Sequence, residues 1–541
     1  MAANIRVLRQ DDFTGGLNLR ADQFQLADNE SPKMLNAEID PRGGVFSRGA
    51  MRRTNTTAIT PTNWNPTSMY SFFASTHRLM LSTGYSSAGG GVNGDVFWST
   101  DCSSYASLAI PVTGAFGASF ASWGEELYVA TGSGSVAYKW DGTTKTALTA
   151  SGPTFQNTYT APTLPAVFFP KSDHTVTHAG KIFVASTNEN GVAYPNRVRW
   201  SHPNLPGNWA ADDFIDINTG SVGITAIAVF SGHLVVFKKD AVFAIFGYDS
   251  DTFQVVEVSR SVGAINPGAV TTTEYGVYFY SHPDGLMLYN GNGVVDLFQP
   301  LRPAVVNGYI NASATSAINV NYINRRVWVS LPYSETTVET KPSVSFVYDT
   351  TVNKSGAWIM FSTYDGCGIS AGLTFNQTDG TIKHVVAHPV HAYTLAVDNY
   401  ASALDNVTGT DNQFTSRYRT RWFDAGSYSS NKMFRRPALV VKQTQAASQL
   451  TVVVYGNYEE AEDGELKQYT VDVPASGSGM LWGYALWGTA TWGAANPGSQ
   501  VVDGRSIGLA KSIQIEFVGS PAQKWGVNSF TLKYNPRKVK A

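Results

Sequence analysis

The sequence predicts an all-β protein: a β-propeller of about seven blades, with six and eight as neighbouring counts, preceded by an N-terminal extended arm and followed by a C-terminal β-sandwich. Three observations predict it. No long segment carries a helical 3.6-residue apolar period. Short runs rich in Val, Ile, Phe, Tyr and Trp alternate with Gly, Asn, Asp, Ser and Pro. A polar or glycine turn leading into an apolar strand recurs about every fifty residues.

The first element, residues 1–58, is rich in polar residues and shows no repeat, which predicts an arm. The repeats follow over 59–400. Their first apolar residues are Leu79, Leu127, Ile182, Leu234, Val277, Val327 and Ile382. Most continue into a second apolar run, such as RVRWS from Arg197 or VSFVYD from Val344. Each unit therefore reads as one small meander. Such sheets bury their faces against their neighbours, and closing them into a ring removes the unprotected ends. A run of β-sandwiches is the alternative, and it predicts no recurring interval. From 401 to 541 the strands RYRTRWFDAG, RRPALVVKQ, SQLTVVVYGNY, KSIQIEFVG and WGVNSFTLKYN fit a sandwich. Between them lies the loop 481–495, LWGYALWGTATWGAA. Its Trp482, Trp487 and Trp492 are spaced by five residues, so neither a helix nor a strand puts them on one face. That pattern predicts rings covered by a neighbouring subunit or partner, with burial in their own domain or sugar contact as alternatives.

Composition narrows the function classes. A chain of 541 residues is too long for one core, and 43% hydrophobic with 15% charged residues describes a globular protein. A formal net charge of -2 argues against a dedicated nucleic-acid binder. Cys102 and Cys367 make neither a disulfide framework nor a zinc site. The opening MAANIRVLRQDD lacks a signal-peptide core. The longest apolar run, 222–247, is broken by His233, Lys238, Lys239 and Asp240, so no membrane span is expected. A protein made in a cytoplasm follows, without cofactor.

No nucleotide loop, metalloprotease pair or nucleophile elbow occurs, and no catalytic residue or metal site is assigned. His384, His388 and His391 cluster, but on an extended strand the first two lie about 13 Å apart, so only a turn at Pro389 brings a pair together. Asp249 and Asp251 read as a turn, as do Asp212 and Asp213. The strongest charge signal is basic. Arg417, Arg419 and Arg421 alternate with Tyr418, Thr420 and Trp422, so a strand puts all three on one face, with Arg435 and Arg436 nearby. Such a face meets phosphates, an acidic partner or solvent.

The opening GGLNLRADQFQLADNESPKMLNAEIDPRGGVFSRGAMRR, with Gly15 and Gly16, then Asn36, then Gly44, Arg48 and Gly49, resembles the start of virion tail proteins of tailed bacteriophages. The stretch from Arg197 through ITAIAVFSGHLVVFKKDAVFAIFG, and the end RSIGLAKSIQIEFVGSPAQKWGVNSFTLKYNPR, are similar to the same group. The family is the tail nozzle, or tail tubular protein B-like, group of short-tailed phages. The resemblance implies a propeller built into a ring of six copies below the portal and adaptor, whose bore passes double-stranded DNA into the host. It also implies contacts with tail fibre, tip or plug proteins and a place in the virion tail. Its motifs are structural, so it implies no catalytic residues. A receptor- or glycan-binding tail-tip protein is the alternative. A third reading is a propeller hydrolase using Asp212, Asp213 or Asp365.

Overall fold

Every one of the seven repeats forms the second strand of an antiparallel sheet, and the continuing run forms the third. The computed structural model describes residues 5–536 except 24, 60–65, 85–92, 149–168, 211, 222, 354, 400–401, 443–446, 460–463, 474–498 and 520–522. Blade 3 is typical, with strands Lys171–His178, Lys181–Glu189, Val192–Trp200 and Phe214–Asp216 in spatial order. Blade 4 repeats it with Ala226–Phe230, His233–Phe237, Val242–Phe246 and Gln254–Ser259. The first strands of blades 1 to 7 pack on one another in sequence order, and that of blade 7, Ala371–Asn376, packs on that of blade 1, Pro66–Ala74. The sheets therefore close into a seven-bladed ring.

Local chemistry explains the hairpins. In blades 3, 4 and 6 two residues join the first and second strands, and both take positive φ: Ala179 and Gly180 at 47° and 69°, Ser231 and Gly232 at 48° and 81°, Asn324 and Arg325 at 49° and 60°. That turn has the twist of the strands it connects. Packing explains the apolar second strands. Both faces of each blade are covered by neighbours, so His233–Phe237 is buried throughout. Phe183, Trp200, Leu234 and Phe243 fill the space between blades 3 and 4, and Phe237, Phe279 and Met287 that between blades 4 and 5.

Two further sheets face each other as a sandwich. One runs Ser499–Asp503, Lys432–Lys442, Gly526–Pro536, Val45–Ser47, Ala37–Ile39, with Arg6–Gln10 beside Gly526–Pro536 and Gly508–Ala510 beside Lys432–Lys442. The other runs Glu465–Val473, Ser448–Gly456, Ile513–Gly519, Arg417–Arg419, Lys33–Leu35. Leu439, Val441, Phe530 and Leu532 of the first meet Leu450, Val452, Ile515 and Phe517 of the second in one buried cluster.

The N-terminal segment is extended, but it is no separate arm. Gly16–Leu17 and then Glu30–Ser31 add to blade 6 as parallel strands, Ala50–Arg53 is the outermost strand of blade 7, and Lys33–Leu35, Ala37–Ile39 and Val45–Ser47 belong to the sandwich. The propeller thus takes strands from outside 59–400, and the sandwich from outside 401–541. Burial is the reason: Leu17, Met34, Ala37, Ile39 and Met51 enter the core, and backbone buried with them must pair with existing sheet edges. Among the described residues, no helix is long and apolar enough to cross a membrane.

Candidate functional site

Asn36, Arg48 and Gly49 meet at the junction of propeller and sandwich. Arg48, 1% exposed, forms a bidentate pair with the fully buried Asp405, at 2.9 and 2.7 Å. Its remaining donors go to Asn36 Oδ1, Gly49 O and Ser362 O. Asp405 accepts two further bonds, from the backbone N–H groups of Met51 and Tyr364. Asn36, at φ 52°, also accepts from Ser362 N and donates to Thr415 O. Every polar atom of this knot is used, as a buried charge requires. Gly16 has φ +70°, and a Cβ there would lie 2.7 Å from Trp358 O, so only glycine permits the parallel contact with blade 6.

The expected basic face is neutralised. Arg419, 7% exposed, donates to Glu516 at 2.9 Å, and Arg417 lies 3.8 Å from the same carboxylate. Arg421 pairs with Asp28. The local run has few acids, but pairing across the sheet and with the N-terminal segment brings distant ones to it. Arg435 and Arg436 stay exposed, at a bulge of Lys432–Lys442. Trp482, Trp487 and Trp492 lie outside the described residues.

Of the histidines, His384 lines the propeller axis, with Nδ1 3.1 Å from Thr374 Oγ1. The turn at Pro389 does bring His388 and His391 together, ring centroids 4.8 Å apart, and Asp365 joins them at 3.3 and 3.4 Å. One ligand atom from each of the three falls within a 4.8 Å span. His388 Nδ1 accepts the N–H groups of Val390 and His391, which places its proton on Nε2, facing Asp365. A metal ion there would have to displace that proton and both backbone bonds. Burial tends to raise the Asp365 pKa, but the hydrogen bonds from His388 and Thr363 outweigh it and hold the carboxyl well below the usual range. Burial, and the neighbouring His388, lower that of His391. Sequence reasoning named these residues separately. It missed their convergence because Asp365 sits in the loop leaving blade 6, whereas both histidines are in blade 7.

Asp212 and Asp213 do not form a carboxylate pair: Asp212 is exposed, and Asp213 is buried, accepting from Ser250 Oγ at 2.7 Å. Asp249 caps its own turn, accepting from Thr252 N and Oγ1. Along the propeller axis, cavities of about 840 and 380 Å³ are lined mainly by Ser, Thr, Asn and aliphatic side chains; Arg325, His384 and Glu274, which is held by Tyr322, also line the larger, and Asp173 and His174 the smaller. The arrangement defines a seven-bladed propeller locked to a sandwich through the buried Arg48–Asp405 pair.

No family model matches the chain, and no curated protein matches it. Solved structures similar to it include the computationally designed Ika8 protein, at 10% identity and TM-score 0.34 over 64% of this chain and 99% of that one. The Dos1 propeller is similar at 11% identity and TM-score 0.37, over 67% of this chain and 97% of that one. Likenesses of this strength add nothing to the fold already given by strand order.

Proposed function

We propose that the chain is a structural subunit of a bacteriophage tail, one of six copies forming a nozzle ring through which DNA passes into the host, without catalytic turnover. The observation that carries this reading is the Asn36–Arg48–Asp405 knot. Asn36, Arg48 and Gly49, three of the residues in the tail-protein resemblance, take part in fixing propeller to sandwich, as a rigid building block requires. The axial cavity bears on where DNA would run. A duplex whose major groove alone is about 12 Å wide does not fit a space of about 840 Å³, so the conduit would lie between copies. Neutralisation of the arginine ladder also fits a wall that must not grip phosphate, because phosphate contacts make binding strong and salt-dependent. Portal or adaptor protein above, and fibre, tip or plug proteins below, are the partners this reading requires.

Negative-stain imaging of the purified chain, alone and with tail components, tests it. A six-fold ring is expected. A chain that stays monomeric with every tail component present overturns it.

A further inference from the structure

Two exposed surfaces of the chain are apolar and opposite in charge. The first is the outer edge of blade 4. Gln254–Ser259 has no strand beyond it among the described residues, and it is exposed from Gln254 to Glu257. Val255 and Val256 are 40% and 45% exposed, and the adjoining Tyr248 is 72% exposed. Asp249, Asp251 and Glu257 stand around them, against Arg260, which pairs with Glu257, and Lys181, whose ammonium donates to Tyr248 O. An open, apolar strand edge in a soluble chain is a template for another protein unless something covers it.

The second surface is the outer face of the sandwich sheet built on Lys432–Lys442. Strand alternation sends Phe434, Leu439 and Val441 inward and leaves Met433 and Val440 on the outside. Their partners in register are Leu509 and Val501, 45% and 64% exposed, and Val7 on the same sheet is 57% exposed. Arg435, Arg436 and Lys533 are exposed on this sheet, with Asp503 as the acid.

These surfaces cannot meet within one molecule. The sandwich is tied to blades 6 and 7 through the N-terminal strands, and blade 4 lies two and three blades round the ring from them. We infer that the blade 4 edge of one copy docks on the outer sandwich face of the next, a head-to-tail contact between second copies of this chain. Two different patches on well-separated sides of a subunit generate a ring when the rotation closes, whereas one self-complementary patch stops at a dimer. The opposite charges set the register, and the valines, Tyr248 and Leu509 supply the apolar area. The inference rests on the ring reading above and names the surfaces that would build it.

The test is the mass distribution of the full chain by light scattering and mass photometry, wild type beside charge variants. Asp251→Lys with Glu257→Lys, or Arg435→Glu with Arg436→Glu, is expected to dissolve the ring and raise the apparent dissociation constant about tenfold or more. All four substitutions in one chain are expected to restore it, a recovery that misfolding would not give. Equimolar mixing of the two double variants provides a second readout. Either variant alone sets like charges against each other, but in the mixture each edge can meet the other variant's face, so rings in which the two variants alternate are expected. Wild-type rings that persist in both double variants overturn this interface and leave the ring reading standing. A wild-type chain that is monomeric alone and with tail components overturns both.

Discussion

At the scale of residues, most ionisable groups of interest are committed to holding the chain together. Arg48 and Asp405 are the clearest case. Replacing Arg48 by Met leaves a buried carboxylate without its cation, and a loss of about 3–5 kcal/mol is expected in chemical denaturation. Adding Asp405→Leu should recover much of it, because no unpaired charge then remains. The two thiols are a second case. Burial pushes both Cys102 and Cys367 up to about 11, so neither should react with iodoacetamide at pH 8 in the folded chain, while both react after unfolding. Asp365 gives the pH dependence. Its folded pKa lies below the unfolded value of about 3.9, so its contribution is full above that value and is lost as pH falls below it. Asp365→Asn should flatten the acid limb of a stability-versus-pH curve measured by thermal denaturation, leaving the limb above pH 6 parallel to wild type. None of these pairings was legible in the sequence. Arginine alternation over Arg417, Arg419 and Arg421 shows which side chains share a face, but their acids Glu516 and Asp28 come from strands and segments far away in the chain.

Elements were far more legible, because a strand buried on both faces writes its environment into its own composition. HLVVF and GVYFYS could only be central strands, and the turn before HLVVF takes positive φ at Ser231 and Gly232, which suits a short polar residue and glycine. Short edge strands carry no such mark. Ala50–Arg53 is four residues long and half polar, and only its partner Thr394–Asn399 makes it a blade strand. A chain lacking residues 1–53 is therefore expected to lose hydrogen-exchange protection in Thr394–Asn399 before the inner strand Ala371–Asn376. Equal protection in both would mean that the N-terminal strand is dispensable for closing blade 7. Gly16→Val belongs to the same scale. It places a branched side chain against Trp358 backbone at positive φ, and a fall in thermal midpoint is expected without any change in secondary-structure signal.

For the whole molecule, the propeller and sandwich are joined by several strands rather than by a linker. One cooperative thermal transition is the expected result, whereas two separated transitions would show that the parts unfold independently. The interlacing also governs when the subunit becomes usable during its own synthesis. Blade 7 receives its outer strand from residues 50–53 and its other three from 371–399, and the sandwich needs both the first strands and Gly526–Pro536. The leading segment must therefore wait, unpaired, while the ribosome delivers nearly everything else. A nascent or truncated chain therefore never presents the finished outer sheet of the sandwich, which exists only once translation has ended.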